Sequence, residues 1–183
     1  WNAASRIGLT TEVSAGGILA HTLSGGQTDS SGTSINSEWV PASTKVLMVG
    51  EDIAADTLGN TANPNKIGNP DNLKFSEKLR TLFIGEDSGQ HTNNFLWAYN
   101  VDTKELARVM SMPAGGEATG LHAADEVNGW TYVMSNFQHP GDSSYVKGKT
   151  ELNAAINTNY NNKFSAAVGY LTASSTSLKL NKV

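Results

Sequence analysis

Short apolar segments of strand length, separated by polar turns, recur through the middle of this chain. Four of them follow one another: Leu73–Phe75, Thr81–Ile84, Phe95–Asn100 and Glu105–Met110. Short runs rich in β-branched and aromatic residues, bounded by turn-forming residues, indicate β-strands. Four strands within about 40 residues is the number that builds one blade of a β-propeller. The pattern therefore predicts an all-β fold built from propeller blades.

The remainder of the chain contains a second blade-like unit and part of a third. The units are predicted at about residues 70–112 and 116–183, with a partial unit at 1–69, within a single domain. The second unit is expected to hold four strands and a short helical insertion near the C-terminus: Glu117–Ala123, Trp130–Phe137, Ala166–Leu171 and Ser177–Leu180, with the helix at Glu151–Ile156. Because propellers typically have four to eight blades, these units cannot close a ring. Their open strand edges would be covered by other strands or by another chain.

Composition excludes several classes of function. The chain has 183 residues, a net charge of -4 and no basic run, whereas binding to a nucleic-acid backbone needs clustered Lys and Arg. No apolar stretch approaches the roughly 20 residues of a membrane-spanning helix. Cysteine is absent, which excludes disulfides, thiolate metal sites and cysteine nucleophiles within the chain. Abundant Asn, Ser, Thr and Gly with few charged residues is typical of exported β-rich proteins.

Four polar islands lie at the ends of the predicted strands, at Asn69–Leu73, Gly85–Ser88, Gly116–Gly120 and Gln138–Gly141. Their carboxylates are Asp71, Glu86, Asp87 and Glu117. Carboxylate oxygens are the ligands that hard cations such as calcium prefer, and strand ends converge at the mouth of a propeller channel. The pattern indicates a metal or phosphate site. The alternative is that Asp71 and Asp87 only cap turns, as Asp commonly does.

Histidine residues extend the candidate site. A neutral imidazole at His139, between a strand and a Pro-Gly turn, could ligate a metal or contact phosphate. Alternatively, its ring N–H only donates to a backbone carbonyl at the turn. His91 and Asn93 could reach the same mouth, while His21 and His122 are interpreted as structural or exposed. No nucleophile elbow, phosphate-binding loop, dinucleotide fingerprint or His-Glu-x-x-His motif is present.

Taken together, the motifs resemble the C-terminal part of the PhoX family of alkaline phosphatases. They are Asn69–Leu73, Thr81–Asp87, Leu96–Tyr99, Glu117–Leu121 and Gln138–Gly141, within a match of about residues 45–142. The resemblance implies a six-bladed propeller in the periplasm or outside the cell. It implies hydrolysis of phosphate esters at a calcium and iron cluster, with Glu117 as a metal ligand. It adds Asp71, Glu86 and Asp87 as further ligands and His139 as a substrate-binding residue.

The chain departs from the family in length and in lacking cysteine. Family members are several times longer than the matched stretch, and their iron site uses a cysteine from the earlier part of the fold. The chain also begins at Trp1 without a Met or a signal-like segment. We therefore expect an upstream part to be missing, and the N-terminal remainder of the propeller to be the partner that completes the site. The alternative is a non-enzymatic structural or assembly subunit that pairs through exposed β-edges.

Overall fold

The computed structural model describes residues 8–141, 146, 148–162 and 165–174, and these form three antiparallel sheets. The first sheet is a pair of strands, β1 (Gly17–Ser24) and β2 (Val40–Val49), in which Gly17 lies opposite Val49. A polar loop joins them, as its Gly- and Ser-rich composition predicts. Residues 51–68 then form a long irregular connection. An antiparallel β-bridge between Asp52 and Ala62 brings two parts of this connection together.

The second sheet is a four-stranded meander in which each strand pairs with the next in sequence. Its strands are β3 (Pro70–Ser76), β4 (Thr81–Glu86), β5 (Phe95–Asn100) and β6 (Leu106–Ser111). Tight turns join β3 to β4 and β5 to β6, and residues 87–94 form the longer connection between β4 and β5. This sheet contains the four strands that the apolar runs predict.

The third sheet contains β7 (Glu117–Val127), β8 (Trp130–Gln138) and β9 (Ala167–Ser174), in that order. The connection from β8 to β9 contains helix α1 (Thr150–Asn159), which confirms the predicted helical insertion. The predicted strand Ser177–Leu180 lies outside the described residues. Helix α1 has ten residues, about half of what a bilayer-spanning helix needs, and no other described helix could span a membrane.

The central strands β4 and β5 carry apolar side chains on both of their faces, because both faces of their sheet are covered. On one face, Ile84 and Trp97 pack with Ile18 of the first sheet. On the other face, Phe83 and Leu96 pack with residues that include Ala118 of the third sheet. Neighbouring residues of a strand point to opposite faces, so a strand buried on both faces needs no polar alternation. The three sheets therefore stack in chain order, which confirms the all-β prediction; the described residues contain no closed propeller.

We expect the central sheet to dominate the stability of the chain. Ile84 is 0% exposed, so Ile84→Ala removes apolar contacts and leaves a cavity, which should lower the free energy of unfolding by about 2–5 kcal/mol. Val109→Ala is the control, because Val109 is 42% exposed on the edge strand β6 and its truncation should cost about 0.5 kcal/mol or less. Urea unfolding measures both, and equal losses would contradict burial of both faces.

Candidate metal centre

Three side chains from separate parts of the sequence meet at one end of the second and third sheets. Asp87 follows β4, Glu117 begins β7 and His139 follows β8. One ligand atom from each lies within 4.8 Å of the other two. Two carboxylates and an imidazole at this separation are a donor set that can hold a divalent cation. The structure thus brings together three of the five residues that the sequence predicts for the site.

The two ligand-bearing strands β4 and β7 belong to different sheets and approach each other at Gly85. A Cβ atom on Gly85 would lie 2.2 Å from the carbonyl oxygen of Ala118, well inside van der Waals contact. Glycine is therefore required here for close backbone approach and not for an unusual φ. Since Gly85 lies two residues before Asp87, and Ala118 directly follows Glu117, this approach sets the distance between the two carboxylates.

Glu117 is held in place by its neighbours on β8. Its side chain is only 8% exposed, and its Oε2 atom lies 3.2 Å from Nε2 of His139. The side-chain amide of Gln138 also donates to Oε2. A carboxylate that is fixed through one oxygen is restrained in the orientation of the other. Glu117 is therefore positioned by protein contacts before any cation is present.

The two ring nitrogens of His139 have different partners. Nδ1 lies 3.3 Å from the carbonyl oxygen of Gly115. Nε2 lies 3.2 Å from Oε2 of Glu117. In the tautomer that donates from Nδ1 to the backbone carbonyl, the lone pair of Nε2 is directed at the ligand group. A ligating histidine whose other nitrogen donates to a carbonyl is the usual arrangement in metal sites.

His139 also has a backbone conformation that few residues adopt. Its φ is 37° and it precedes Pro140, although the ring of a proline disfavours helical conformations in the residue before it. Asn69, which precedes Pro70 at the start of β3, has a φ of 41°. Non-glycine residues in the left-handed region cost about 1–2 kcal/mol each and are found often at functional sites. The surrounding fold offsets this cost at both positions.

The electrostatics of the group favour a positive charge. Partial burial raises the pKa of Asp87 above its ordinary value. The nearby Glu117 carboxylate raises that pKa further, His139 lowers it, and Asp71 raises it. Burial and a like charge both disfavour an ionised carboxyl group. Because the carboxylates outnumber the imidazole, a bound cation would relieve this repulsion.

Asp71 lies beside the group and is not part of it. It lines, with Asp87 and Asn69, an open cleft of about 340 Å³. Gly17, at the start of β1, also lines this cleft. The Oδ2 atom of Asp71 accepts a hydrogen bond of 2.7 Å from the side-chain amide of Asn72. The negative charge of Asp71 is the smallest of the influences on the pKa of Asp87. Asp71 is thus placed to act on a ligand in the cleft.

Glu86 points away from the group into the core. Its side chain is 0% exposed and accepts four hydrogen bonds. The backbone N–H of Gly68 and the indole N–H of Trp97 donate to Oε1, at 2.8 and 2.6 Å. The backbone N–H of Phe95 (2.9 Å) and Nδ1 of His91 (3.0 Å) lie at Oε2. Since Glu86 and Asp87 are adjacent at a strand end, their side chains leave on opposite sides.

Sequence reasoning missed Asn94, which connects the two ligand-bearing segments. This residue is 4% exposed. Its Oδ1 accepts from the backbone N–H of Ser88 at 2.7 Å, and its Nδ2 donates to the carbonyl of Gly116 at 2.8 Å. Ser88 directly follows Asp87, and Gly116 directly precedes Glu117. No motif marks Asn94, and the available signal is its position just before β5. Asn93, which was predicted to reach the site, donates instead to the carbonyl of Met112.

Comparison of the chain with models of known protein families, with curated proteins and with solved structures gives no match. The resemblance to the PhoX family therefore stays a prediction. The geometry of Asp87, Glu117 and His139 is the observation from which a function can be argued.

We expect loss of charge to destabilise the protein strongly at Glu86 and to have little effect at the neighbouring Asp87. Glu86→Gln places an amide NH₂ group against N–H donors in the core, so it should lower the free energy of unfolding by about 3 kcal/mol or more. Asp87→Asn removes a repelled charge and should change stability by about 0.5 kcal/mol or less. Guanidinium unfolding in chelator tests both variants. Equal effects would show that Glu86 is not the buried acceptor described.

We expect Asn94 to control metal affinity through the geometry of its neighbours. Asn94→Ala removes both hydrogen bonds and should weaken Ca²⁺ or Fe²⁺ binding by about 10-fold, as measured by isothermal titration calorimetry. Asn93→Ala is the matched control, because it removes a backbone-directed hydrogen bond from the same loop without touching either segment. The affinity of the control should stay within about two-fold of the parent. Equal losses would assign Asn94 a general structural role.

Proposed function

We propose that this chain is the C-terminal part of a PhoX-like, metal-dependent phosphatase that hydrolyses phosphate esters. The observation that carries the proposal is the convergence of Asp87, Glu117 and His139 within 4.8 Å. These residues come from three of the motifs on which the resemblance depends. Motifs that are far apart in sequence and meet as one donor set are expected of a site and are not required by packing alone.

The arrangement of the sheets supports a propeller. We assign the meander β3–β6 to one blade, β7–β9 to a second blade and β1–β2 to part of a third. Propeller blades are antiparallel meanders that stack face to face around a channel, and face-to-face packing of the three sheets is compatible with such blades. The first strands of the two longer sheets, β3 and β7, also pack against each other, as the innermost strands of adjacent blades do.

The donor set fits a divalent cation. Glu117 and Asp87 supply the oxygen ligands that calcium prefers, and the imidazole of His139 is a ligand more typical of iron than of calcium. We assign His139 to the metal and not to the substrate, because its Nε2 faces the Glu117 carboxylate. Iron would need further ligands from the N-terminal remainder of the propeller, as the resemblance implies.

The residues of this chain would bind and orient the reactants. A bound metal would supply charge neutralisation on the phosphoryl oxygens and activation of water, which carry most of phosphate-ester hydrolysis. The side-chain amide of Gln138 restrains Glu117, and such preorganisation favours catalysis. The open cleft beside Asp87 gives the ester a route to the site. Periplasmic or extracellular location follows from the same proposal.

The third sheet presents an exposed apolar face, which supports a missing neighbour. Val168 and Tyr170 of β9 are 75% and 63% exposed, and Trp130 of β8 is 46% exposed. Alternation along paired strands places these side chains on the face away from the second sheet. The N-terminal remainder of the propeller is the partner that we assign to this face. The same face also favours the second candidate function, a non-enzymatic subunit that assembles with other chains.

Metal removal tests the proposal directly. Glu117→Gln and Asp87→Asn should each lower bound calcium and iron, measured by mass spectrometry of the purified protein, because each removes a charged ligand. Turnover of p-nitrophenyl phosphate by the parent protein that contains this chain should fall by at least about 100-fold in chelator and return with metal. Asp102→Asn is the control, because Asp102 is an exposed carboxylate paired with Arg80.

Full turnover in chelator would overturn the proposal, as would unchanged metal content in both ligand variants. Intact mass and native light scattering separate the two candidate functions. A longer parent chain with metal-dependent turnover supports the phosphatase. A uniform polymer of this chain, without metal or turnover, supports the assembly subunit.

A further inference from the structure

A second cavity, separate from the metal centre, lies between the long connection 51–68 and the second sheet. Its volume is about 510 Å³, which is within the usual range for small-molecule sites. Two cationic residues line it, Arg108 of β6 and Lys149 at the start of α1. The described residues that line this cavity include no carboxylate. The guanidinium of Arg108 is therefore not opposed by a carboxylate among these residues, in a chain whose net charge is negative.

Arg108 is held at the cavity by contacts with an aromatic ring and a neutral amide, and neither contact neutralises its charge. Its guanidinium lies over the ring of Phe95, 5.2 Å from the centroid. Its Nη2 atom is 3.5 Å from Oδ1 of Asn65, which is a long hydrogen bond to a neutral acceptor. Among the described residues, no carboxylate forms an ion pair with it. An arginine stacked on an aromatic ring is preorganised to offer its planar fork of N–H donors.

The wall opposite the second sheet is built from hydrogen-bonded backbone. Thr92 donates from its backbone N–H to Oδ1 of Asn60 at 2.8 Å and from its hydroxyl to the carbonyl of Leu58 at 2.7 Å. Asn60 is 5% exposed, so this contact is shielded from water. Asp56, on the same loop, accepts hydrogen bonds at Oδ1 from the backbone N–H groups of Leu58 and Asn60. Its Oδ2 accepts from the side-chain amide of Asn60. The cavity is therefore preformed, and the acid nearest in sequence is already engaged.

The remaining lining favours an organic ligand over a bare ion. Leu58, which is 68% exposed, and Pro64 lie beside the two cations. A large exposed apolar side chain at the rim of a cavity gains by covering part of a ligand. Asn65 and Ser111 add polar side chains to the lining.

We propose that this cavity binds a small organic oxyanion, a molecule with a phosphoryl or carboxylate head and a short apolar body. The head would meet the guanidinium of Arg108 in the bidentate geometry that guanidinium groups form with carboxylates and phosphates. The apolar body would lie against Leu58 and Pro64. This site does not depend on the proposed phosphatase activity, because it uses none of the metal-centre residues.

The experiment titrates the metal-free protein with three probes, followed by calorimetry and by NMR of backbone amides. Phenylphosphonate and benzoate carry the two types of head on the same body and cannot be hydrolysed as esters, and inorganic phosphate carries the head alone. We expect saturable binding of at least one aromatic probe, tighter than that of phosphate. The amides of Thr92, Phe95 and Arg108 should shift, whereas those of Asp87 and Glu117 should not.

Variants identify the cationic anchor. Arg108→Gln should raise the Kd of the bound probe about 10-fold or more, since it removes a charge-assisted pair. Arg108→Lys should also weaken binding, because it keeps the charge and loses the fork. Arg80→Gln is the matched control: its guanidinium is paired with Asp102 at 3.0 Å, and its loss should leave the Kd within about two-fold. Asp87→Asn should also leave it unchanged, which separates this cavity from the metal centre.

Three results would overturn the proposal. They are the absence of saturable binding for all probes, an unchanged Kd in both Arg108 variants, and amide shifts confined to the metal centre. Phosphate binding as tight as that of phenylphosphonate would overturn the assignment of an organic ligand. The difference between benzoate and phenylphosphonate identifies which oxyanion head the site prefers.

Discussion

The fold depends on one buried carboxylate. Glu86 is withdrawn from solvent at the end of β4, and a buried carboxyl group is tolerated only when its oxygens are matched by donors. The four donors come from the connection 51–68, the loop after β4 and strand β5. His91 extends this network, because its Nε2 lies 3.3 Å from the carbonyl of Asn63. Irregular segments that pack poorly by themselves are thereby tied to the most buried strands of the protein.

The candidate metal centre and the cavity that Arg108 lines both rely on the segments that Glu86 organises. The loop after β4 carries Asp87 on one side, and its far end contributes Thr92 to the cavity wall. Asn94 connects that loop to the segment that presents Glu117. Asp87 directly follows β4, and Glu117 and His139 lie at the ends of β7 and β8, so each of these side chains is attached to a strand. This arrangement suits ligand groups that must keep a fixed geometry.

Much of the central sheet could be predicted from the sequence, and the site only in part. Strand β5 begins and ends at the predicted residues, because its aromatic run is bounded by clear turns. Asp87, Glu117 and His139 could be named from their positions at strand ends, but their convergence depends on how two sheets pack. The direction of Glu86 could not be predicted, since a strand buried on both faces has no alternation to show which residue turns inward. The cavity that Arg108 lines joins segments far apart in sequence, and no local pattern marks it.

Gly85 has a consequence for how this sequence can change over time. Most positions in a β-strand accept several side chains, because a neighbour can shift by a few tenths of an ångström. Position 85 has no such freedom, since the atom that a side chain would meet is a backbone carbonyl of the next sheet. A substitution at this position would leave each sheet able to fold. It would push β4 and β7 apart and so separate Asp87 from Glu117. A hydrogen atom in place of a side chain is therefore as specific a requirement here as any charged ligand.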